Sequence, residues 1–120
     1  MHTGSCLCGD VSFEISGNIE AIGACHCSIC CKTSGHYWAA VTVPATNVIV
    51  EGYTYIRWFR SSQNVRRGFC EGCGASLFYI KDGSESWEVA AGCFDTPLPK
   101  LTRHIHTEDK PEYYDLPHSE

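Results

Sequence analysis

Seven of the nine cysteines in this chain fall into three short clusters whose spacing is suited to holding a metal ion. We name them the first cluster (Cys6/Cys8), the second cluster (Cys25/Cys27/Cys30) and the third cluster (Cys70/Cys73). Two cysteines separated by one or two residues can turn both sulfurs toward one tetrahedral zinc ion through a single tight loop. Gly72 and Gly74 supply the unusual backbone angles that such a loop needs. Because sulfur ligands favour Zn²⁺, we expect two bound zinc ions.

Disulfide bonds and thiol redox chemistry are the alternatives for a chain this rich in cysteine. No charged region followed by an apolar run opens the sequence, so we expect a cytoplasmic protein rather than a secreted, oxidised one. Nine is also an odd number of cysteines. A thioredoxin-like interpretation of Cys27-x-x-Cys30 requires a βαβ pattern around it, and the sequence shows none. Metal binding is therefore the favoured interpretation.

The number of sulfurs suggests two different kinds of site. The first and third clusters together supply four sulfurs, which is the number that a closed structural zinc site requires. The second cluster supplies three sulfurs within six residues, which leaves a fourth position on its ion open. Spacing alone leaves another pairing open, in which the first cluster closes on Cys25/Cys27 while Cys30/Cys31 face the third cluster.

Composition argues against two classes of partner. The formal net charge is −5 at pH 7, which makes nucleic-acid binding a poor interpretation. Hydrophobic residues make up 43% of the chain, but no apolar run approaches the roughly 20 residues of a membrane span. We therefore expect small-molecule partners, with no nucleic acid and no membrane. A chain of 120 residues can bury a core of its own, so residues 1–120 are expected to form a single domain.

The segments between the clusters alternate in polarity or are rich in β-branched and aromatic residues, which is typical of short strands. The predicted strands span residues 11–15, 38–43, 53–60, 75–80 and 86–91. Turn-forming residues occupy 16–18, 51–52 and 81–84, and only residues 28–34 are compatible with a helical turn. The sequence therefore predicts a mainly β fold, a small zinc-stabilised sheet structure with CxC and CxxC knuckles.

Three motifs in a fixed order carry a resemblance to a known family. They are Gly4-x-Cys6-x-Cys8-Gly9-x-Val11-x-Phe13, Cys25-His26-Cys27-x-x-Cys30-x-Lys32-x-x-Gly35 and Arg67-x-Phe69-Cys70-x-x-Cys73-Gly74. With the tail His104-Ile105-His106-x-Glu108-Asp109-Lys110-Pro111, the chain resembles the glutathione-dependent formaldehyde-activating enzyme family, whose domain also occurs in centromere protein V. The resemblance implies a β-sheet "tent" with a structural zinc site at Cys6, Cys8, Cys70 and Cys73. It also implies a catalytic zinc site at the second cluster, and an activity that joins glutathione to formaldehyde to give S-hydroxymethylglutathione.

The implied chemistry is that of a carbon–sulfur lyase, or thiol–aldehyde adduct synthase, acting on a small glutathione-like thiol and an aldehyde. A free thiol has a pKa near ~8.5, and an open zinc can take it as a fourth ligand in its thiolate form. Lys32 and Arg67 flank the clusters and are candidates to bind a substrate carboxylate. The alternative function is a non-catalytic binding module in which both metals only stabilise the fold. The sequence does not predict the oligomeric state.

Five further residues invite expectations of their own. We expect His26 either to donate a hydrogen bond to a metal ligand or to be exposed. Cys31 is expected to be a buried free thiol, because a helical turn would point it away from its neighbouring ligand, and Cys93 is expected to pack in the core. Tyr113 and Tyr114 are expected to seal a sheet edge or to cover a pocket.

Overall fold

Ten strands and one α-helix form the structure, a computed structural model that describes residues 1–117. The strands are β1 His2–Ser5, β2 Ser12–Ile15, β3 Ile22–Cys25, β4 Trp38–Pro44, β5 Val48–Glu51, β6 Ile56–Ser62, β7 Val65–Cys70, β8 Ser76–Lys81, β9 Ser86–Ala90 and β10 Leu101–Ile105. The helix is α1 Ser28–Ser34, and 3₁₀ turns lie at Ala45–Asn47, Tyr53–Tyr55, Ala91–Cys93 and Thr107–Asp109. Within the described chain, no helix is long and apolar enough to cross a membrane.

The strands form two sheets. A small antiparallel sheet has the order β1-β2-β5, and a large sheet has the order β10-β3-β4-β9-β8-β7-β6. All pairs in the large sheet are antiparallel except β10 with β3, which is parallel. The prediction of a mainly β fold is therefore confirmed.

The main hydrophobic core lies between the two sheets. Phe13 of β2 packs edge-on against Phe78 of β8, with ring centroids 6.1 Å apart. Val41, Leu77 and Val89 of the large sheet are completely buried in the same core. Aromatic pairs of this geometry add about 0.5–1.5 kcal/mol to the stabilisation from burial alone.

The opposite face of the large sheet is also buried over part of its area. Side chains alternate between the two faces of a strand, so β4 sends Val41 and Val43 into the main core and Trp38 and Ala40 to the other side. There Trp38 and Ala40 meet Cys30 of α1 in a second, smaller core. This alternation brings the helix and the second cysteine cluster against the centre of the sheet.

The strand and helix bounds test the expectations from sequence. The helical turn at 28–34 and four of the five predicted strands are confirmed, each strand within one residue at either end. The strand predicted at 53–60 is wrong at its start, because Tyr53–Tyr55 form a 3₁₀ turn and the strand begins at Ile56. The cause is Gly52, whose φ of 80° turns the chain so that the Tyr55 N–H donates to the Gly52 carbonyl.

Candidate metal centres and the adjoining cleft

The first and third clusters meet in space. The sulfurs of Cys6, Cys8, Cys70 and Cys73 all lie within 4.8 Å of one another, and we call this group the four-sulfur site. The Cys8 sulfur is 3.6 Å from those of Cys6 and Cys70. A tetrahedral zinc with bonds of roughly 2.3 Å would hold its sulfurs about 3.8 Å apart. The four-sulfur site can therefore hold a metal ion, and its donor set and spacing fit zinc.

Two tight turns build the four-sulfur site. In the first, the Cys6 N–H donates to the Val11 carbonyl, and in the second, the Gly74 N–H donates to the Cys70 carbonyl. Gly74 has φ of 79°, a value that glycine adopts without strain. Backbone N–H groups also approach the sulfurs, since Val11 N lies 3.4 Å from Cys6 Sγ and Gly72 N lies 3.3 Å from Cys70 Sγ. These donors stabilise thiolates, the form in which cysteine binds metal.

Two other backbone N–H groups change the acidity of the Cys73 ligand. The N–H groups of Cys8 and Ala75 lower the pKa of the Cys73 thiol to about 6. Cys6 and Cys70 are buried, whereas Cys8 is exposed. The site is thus anchored by two interior sulfurs and reached from solvent on one side.

The second cluster forms a separate group, which we call the three-sulfur site. Cys25 is the last residue of β3, Cys27 caps the N-terminus of α1, and Cys30 lies in the first turn of that helix. Their sulfurs lie within 4.8 Å of one another, and no other His, Cys, Asp or Glu of residues 1–117 completes this group. The pairing of the first cluster with Cys25/Cys27, which spacing had left open, is not the one that the structure forms.

Burial and hydrogen bonds set the charge state of the three sulfurs. Burial raises the pKa of Cys30, and the opposing influence is the Arg67 guanidinium, whose Nη2 donates to Cys30 Sγ over 3.3 Å. Burial also acts to raise the pKa of Cys27, but the Cys30 N–H donates to its sulfur over 3.4 Å and the net shift is downward. The pKa of Cys25 is raised, chiefly by burial. An ion bound here would remove these differences, because metal coordination favours the thiolate at all three positions.

The three-sulfur site faces a cleft in the large sheet. All three cysteines line a cavity of about 130 Å³ together with Trp38, Arg67, Tyr79 and Glu88. A neighbouring groove of about 340 Å³ shares Cys25, Trp38, Glu88 and Ile105 as a common wall. A molecule bound beside the sulfurs therefore has room to extend along the groove.

A row of polar side chains crosses the sheet beneath this cleft. Arg67 pairs with Tyr79, Tyr79 with Glu88, and Glu88 with Thr42 on four neighbouring strands. Residues directly opposite one another on paired strands present their side chains on the same face. The Arg67 guanidinium accordingly lies 4.9 Å from the centre of the Tyr79 ring. Trp38 Nε1 donates to Glu88 Oε1 over 2.9 Å.

Comparison with known proteins places the chain in a family. The family model described as glutathione-dependent formaldehyde-activating enzyme matches residues 1–109. The chain belongs to this family. The resemblance that the cysteine motifs indicated is thereby confirmed.

One named protein and one solved structure are similar to this chain over most of its length. A Halomonas elongata protein, named provisionally as a glutathione-dependent formaldehyde-activating enzyme, is 27% identical over 124 residues, which cover 94% of this chain and 79% of that protein. A crystal structure of a Rhodobacter sphaeroides protein superposes with a TM-score of 0.68 at 22% identity, covering 81% of this chain and 91% of the other. The second likeness shows that the fold is shared.

His26 differs from both expectations for it. The His26 side chain is completely buried, so the expectation of an exposed residue is wrong. Its Nδ1 is 2.6 Å from the Tyr114 hydroxyl, and its Nε2 is 2.9 Å from His104 Nδ1. It therefore bonds to the tail rather than to a cysteine sulfur, and the centre of its ring lies 5.6 Å from that of Tyr114.

The remaining cysteines lie outside both sulfur groups of the described chain. Cys31 is partly buried, and its thiol donates to the His26 carbonyl over 3.7 Å. Cys93 packs against both cores, as expected, and burial raises its pKa to about 11. Lys32 is exposed on α1, so its role as a substrate-binding residue stays a prediction.

The residues that sequence reasoning missed are Trp38, Tyr79 and Glu88. Each sits in an ordinary strand pattern, and nothing in its local sequence marks it as part of a site. They meet only because β4, β8 and β9 pair in one register. A carboxylate on the site-facing side of a mostly apolar strand is the one signal that could have drawn attention to Glu88.

Proposed function

We propose that this protein is a zinc-dependent carbon–sulfur lyase that joins a small glutathione-like thiol to an aldehyde such as formaldehyde. The observation that carries the proposal is the three-sulfur site, a group of three ligands among residues 1–117 that lines a cleft. Membership of the formaldehyde-activating family supports the substrate classes. Three protein ligands and one open position are the arrangement of catalytic rather than structural zinc.

Cys25, Cys27 and Cys30 would hold the catalytic ion. When bound, that ion supplies a positive charge and an open position that favour the thiolate form of an incoming thiol. Arg67 offsets part of the negative charge of the three sulfurs through its contact with Cys30. The cavity of about 130 Å³ holds the reacting groups beside the sulfurs.

Positioning supplies more of the rate than ionisation does in this proposal. Complete ionisation of a thiol with a pKa near ~8.5 raises the thiolate concentration about 30-fold at neutral pH, which corresponds to roughly 2 kcal/mol. Holding two reactants together in a reactive orientation can lower the activation free energy by up to roughly 7–11 kcal/mol. The groove that continues from the cavity is where the rest of the thiol would be held.

Arg67 and Lys32 remain the candidates to bind a substrate carboxylate. Arg67 donates from Nε to Ser61 Oγ and from Nη2 to Cys30 Sγ, and its guanidinium lines the cavity. A guanidinium carries five N–H donors, so donors remain for an anionic substrate. Lys32 lies two residues beyond Cys30 with its side chain in solvent.

The four-sulfur site would hold a structural zinc ion. Cys6 follows β1 of the small sheet, and Cys70 ends β7 of the large sheet. An ion bound by both would join the two sheets across one end of the main core. Its contribution to folding follows from its absence in the unfolded chain, where no preformed site exists.

Metal analysis and exchange spectroscopy together test the proposal. Purified protein is expected to contain two zinc ions per chain and to accelerate the exchange between ¹³C-formaldehyde, a thiol and their hemithioacetal, measured by NMR. Cys30→Ser should lose one zinc and the acceleration. Cys31→Ser is the matched control, because its thiol lies next in sequence but outside the three-sulfur site.

Two outcomes would contradict the proposal. Wild-type protein with two zinc ions and no acceleration over the uncatalysed exchange would exclude the enzyme. A zinc ion in the three-sulfur site whose fourth ligand is permanently supplied by the polypeptide would instead favour the alternative, a non-catalytic zinc-stabilised binding module.

A further inference from the structure

We propose that Glu88 is the proton-transfer residue of the three-sulfur site, taking the proton of the incoming thiol and returning it to the aldehyde oxygen. The inference rests on the proposed function and adds a catalytic residue to it. It depends on where Glu88 lies, on how its two oxygens are used and on what surrounds them.

Glu88 stands at the junction of the cavity and the groove. It lines both, as do Cys25 and Trp38, so a molecule that extends from the groove into the cavity lies beside the carboxylate as well as the sulfurs. Its Oε1 is fixed by the Trp38 indole at 2.9 Å. Its Oε2 has no hydrogen-bond or ion-pair partner among residues 1–117 and is not sealed from solvent, so it is available to a bound molecule.

The carboxylate has one hydrogen-bond partner, the Trp38 indole, and no ion-pair partner among residues 1–117. Elsewhere in the described chain, carboxylates that pair with arginine do so at the exposed surface, as Glu71 does with Arg57 and Asp82 with Arg60. Glu88 is partly buried on the face of the sheet that carries the site, and no ion pair offsets its desolvation. Arg67 lies two strands away in the same row, about 9–10 Å by strand spacing, with Tyr79 between them.

Burial alters the acidity of Glu88 in the direction that proton transfer requires. Desolvation raises the pKa of the carboxyl, and the Trp38 hydrogen bond and the Arg67 charge only partly oppose that shift. A base whose pKa is closer to the working pH accepts a proton from a thiol more readily and can still return it. Carboxyl groups with raised pKa values in clefts are common at catalytic sites.

The groups that face Glu88 come from several elements. Besides the three cysteines, the titratable, charged and hydroxyl-bearing groups that line the cavity, the groove or the adjoining pocket include Arg67, Tyr79, Thr42, Lys81, Glu20, Arg103 and His106. Desolvation raises the pKa of Tyr79, so its phenol stays protonated at neutral pH. Glu88 is therefore the carboxylate shared by the cavity and the groove.

The step balances without any oxidant or reductant. The S–H bond of the thiol breaks, its electron pair stays on sulfur, and Glu88 takes the proton. The sulfur forms a bond to the carbonyl carbon, and the electron pair of the C=O π bond moves to oxygen. Glu88 then gives the proton to that oxygen, which yields R–S–CH₂–OH from formaldehyde and leaves the carboxylate ready for another cycle.

Glu88→Gln tests the inference, with Glu85→Gln as the matched control on the exposed turn before the same strand. The glutamine keeps an acceptor for Trp38 but cannot accept the thiol proton. We expect kcat for adduct formation to fall by about 100-fold or more, with KM within about threefold and two zinc ions retained. In the wild-type protein, kcat for adduct formation should fall at acidic pH. That fall should disappear in Glu88→Gln and remain in Glu85→Gln.

A second measurement does not depend on activity. Infrared difference spectra of the wild-type protein should show one carboxyl group that titrates above the usual range of glutamate, and Glu88→Gln should lack it. If Glu88→Gln fails to fold, the same titration on Glu88→Asp decides whether the raised carboxyl is at position 88.

The outcomes separate this inference from the function on which it rests. An active Glu88→Gln protein with an unchanged pH profile, or a carboxyl at position 88 that titrates normally, overturns the role of Glu88 and leaves the lyase intact. A wild-type protein that does not accelerate adduct formation overturns the lyase, and the role of Glu88 with it.

Discussion

The contact between Arg67 and Cys30 links a positive charge directly to a candidate metal ligand. Arg67 is held by three partners, namely the Cys30 sulfur, the Ser61 hydroxyl and the Tyr79 ring. Groups that orient and neutralise a ligand in this way commonly affect metal affinity about 10–100-fold. The contact also limits how far the guanidinium can move toward a substrate.

We predict that Arg67→Gln weakens zinc binding at the three-sulfur site by about 10–100-fold. The reason is the loss of the charge that stabilises the Cys30 thiolate. Competition with a chromophoric chelator measures the affinity. Arg66→Gln is the control, because Arg66 stacks on the Trp58 ring and belongs to neither sulfur site of the described chain. Equal affinity in both variants would show that the contact does not stabilise the ligand.

Glu88 also gives a prediction about stability and pH. Its pKa is raised in the folded state, so the folded chain keeps the proton to higher pH than the unfolded chain does. Stability attributable to this group is therefore lost as pH rises through the usual carboxyl value near 4.5 and up to the folded-state value. Glu88→Gln removes that loss and keeps the hydrogen bond from Trp38.

We accordingly expect Glu88→Gln to raise the thermal midpoint relative to wild type at pH 7 and to change it less at pH 4. The difference between variant and wild type, followed by calorimetry across that range, isolates Glu88 from the acid sensitivity of the metal sites. Glu85→Gln should show no such pH-dependent difference, because Glu85 is exposed. A variant less stable than wild type at pH 7 would contradict the sign of the shift.

At the scale of elements, the turns carry the sulfurs and glycine makes the turns possible. Gly52 lies against the turn that holds the first cluster, and a Cβ built on it would stand 1.8 Å from the Asp10 carbonyl oxygen. Gly83 has a similar positive φ, 76° against 80°, but a Cβ there would meet nothing within 4 Å. The two glycines thus share a backbone requirement and differ in their surroundings.

We predict that Gly52→Ala destabilises the protein more than Gly83→Ala. Both variants pay about 1–2 kcal/mol for a left-handed backbone, and Gly52→Ala adds a clash worth about 1–3 kcal/mol. Chemical denaturation of the zinc-loaded proteins measures the difference. Because the displaced segment leads into the first cluster, Gly52→Ala should also release zinc from the four-sulfur site more readily. Similar losses of stability in both variants would mean that the turn beside Gly52 can move away from the added Cβ without further destabilisation.

At the scale of the whole molecule, the four-sulfur site is placed to join the two sheets and the three-sulfur site to serve the cleft. The turn after β1 and the end of β7 with the turn that follows it supply the four-sulfur site, whereas β3 of the large sheet, Cys27 and α1 supply the three-sulfur site. Loss of an ion from the four-sulfur site would therefore remove a link between the two sheets. Loss of an ion from the three-sulfur site would leave both sheets and the main core in place.

We predict that Cys6→Ser unfolds the protein far more than Cys27→Ser does. Structural zinc in small peptides contributes on the order of 10–16 kcal/mol, so a chelator that empties the four-sulfur site should also unfold the chain. Circular dichroism during chelation, with released zinc counted, follows both events. Cys27→Ser should keep the fold and one zinc ion while losing activity. Equal unfolding of the two variants would favour the non-catalytic module.

Sequence alone determined the parts of this protein that depend on local spacing. Sulfur separations of one or two residues define which cysteines share a loop, and alternating polarity or β-rich composition predicted five of the ten strands. The motifs also indicated the family, and residues 28–34, the one segment compatible with a helical turn, form the helix. Five strands were not predicted, and one of them is Ile22–Cys25, which its neighbours in the sheet stabilise more than its own residues do.

Only the tertiary structure decided which clusters meet and what surrounds them. Sulfurs 62 residues apart, those of Cys8 and Cys70, come within 3.6 Å because two sheets fold over one core. The row from Arg67 through Tyr79 to Glu88 exists because of strand register. A shift of one residue in the pairing of a strand would move its side chains to the opposite face of the sheet. Register and sheet order are set by the whole packed core, so local sequence patterns do not predict the cleft that they create.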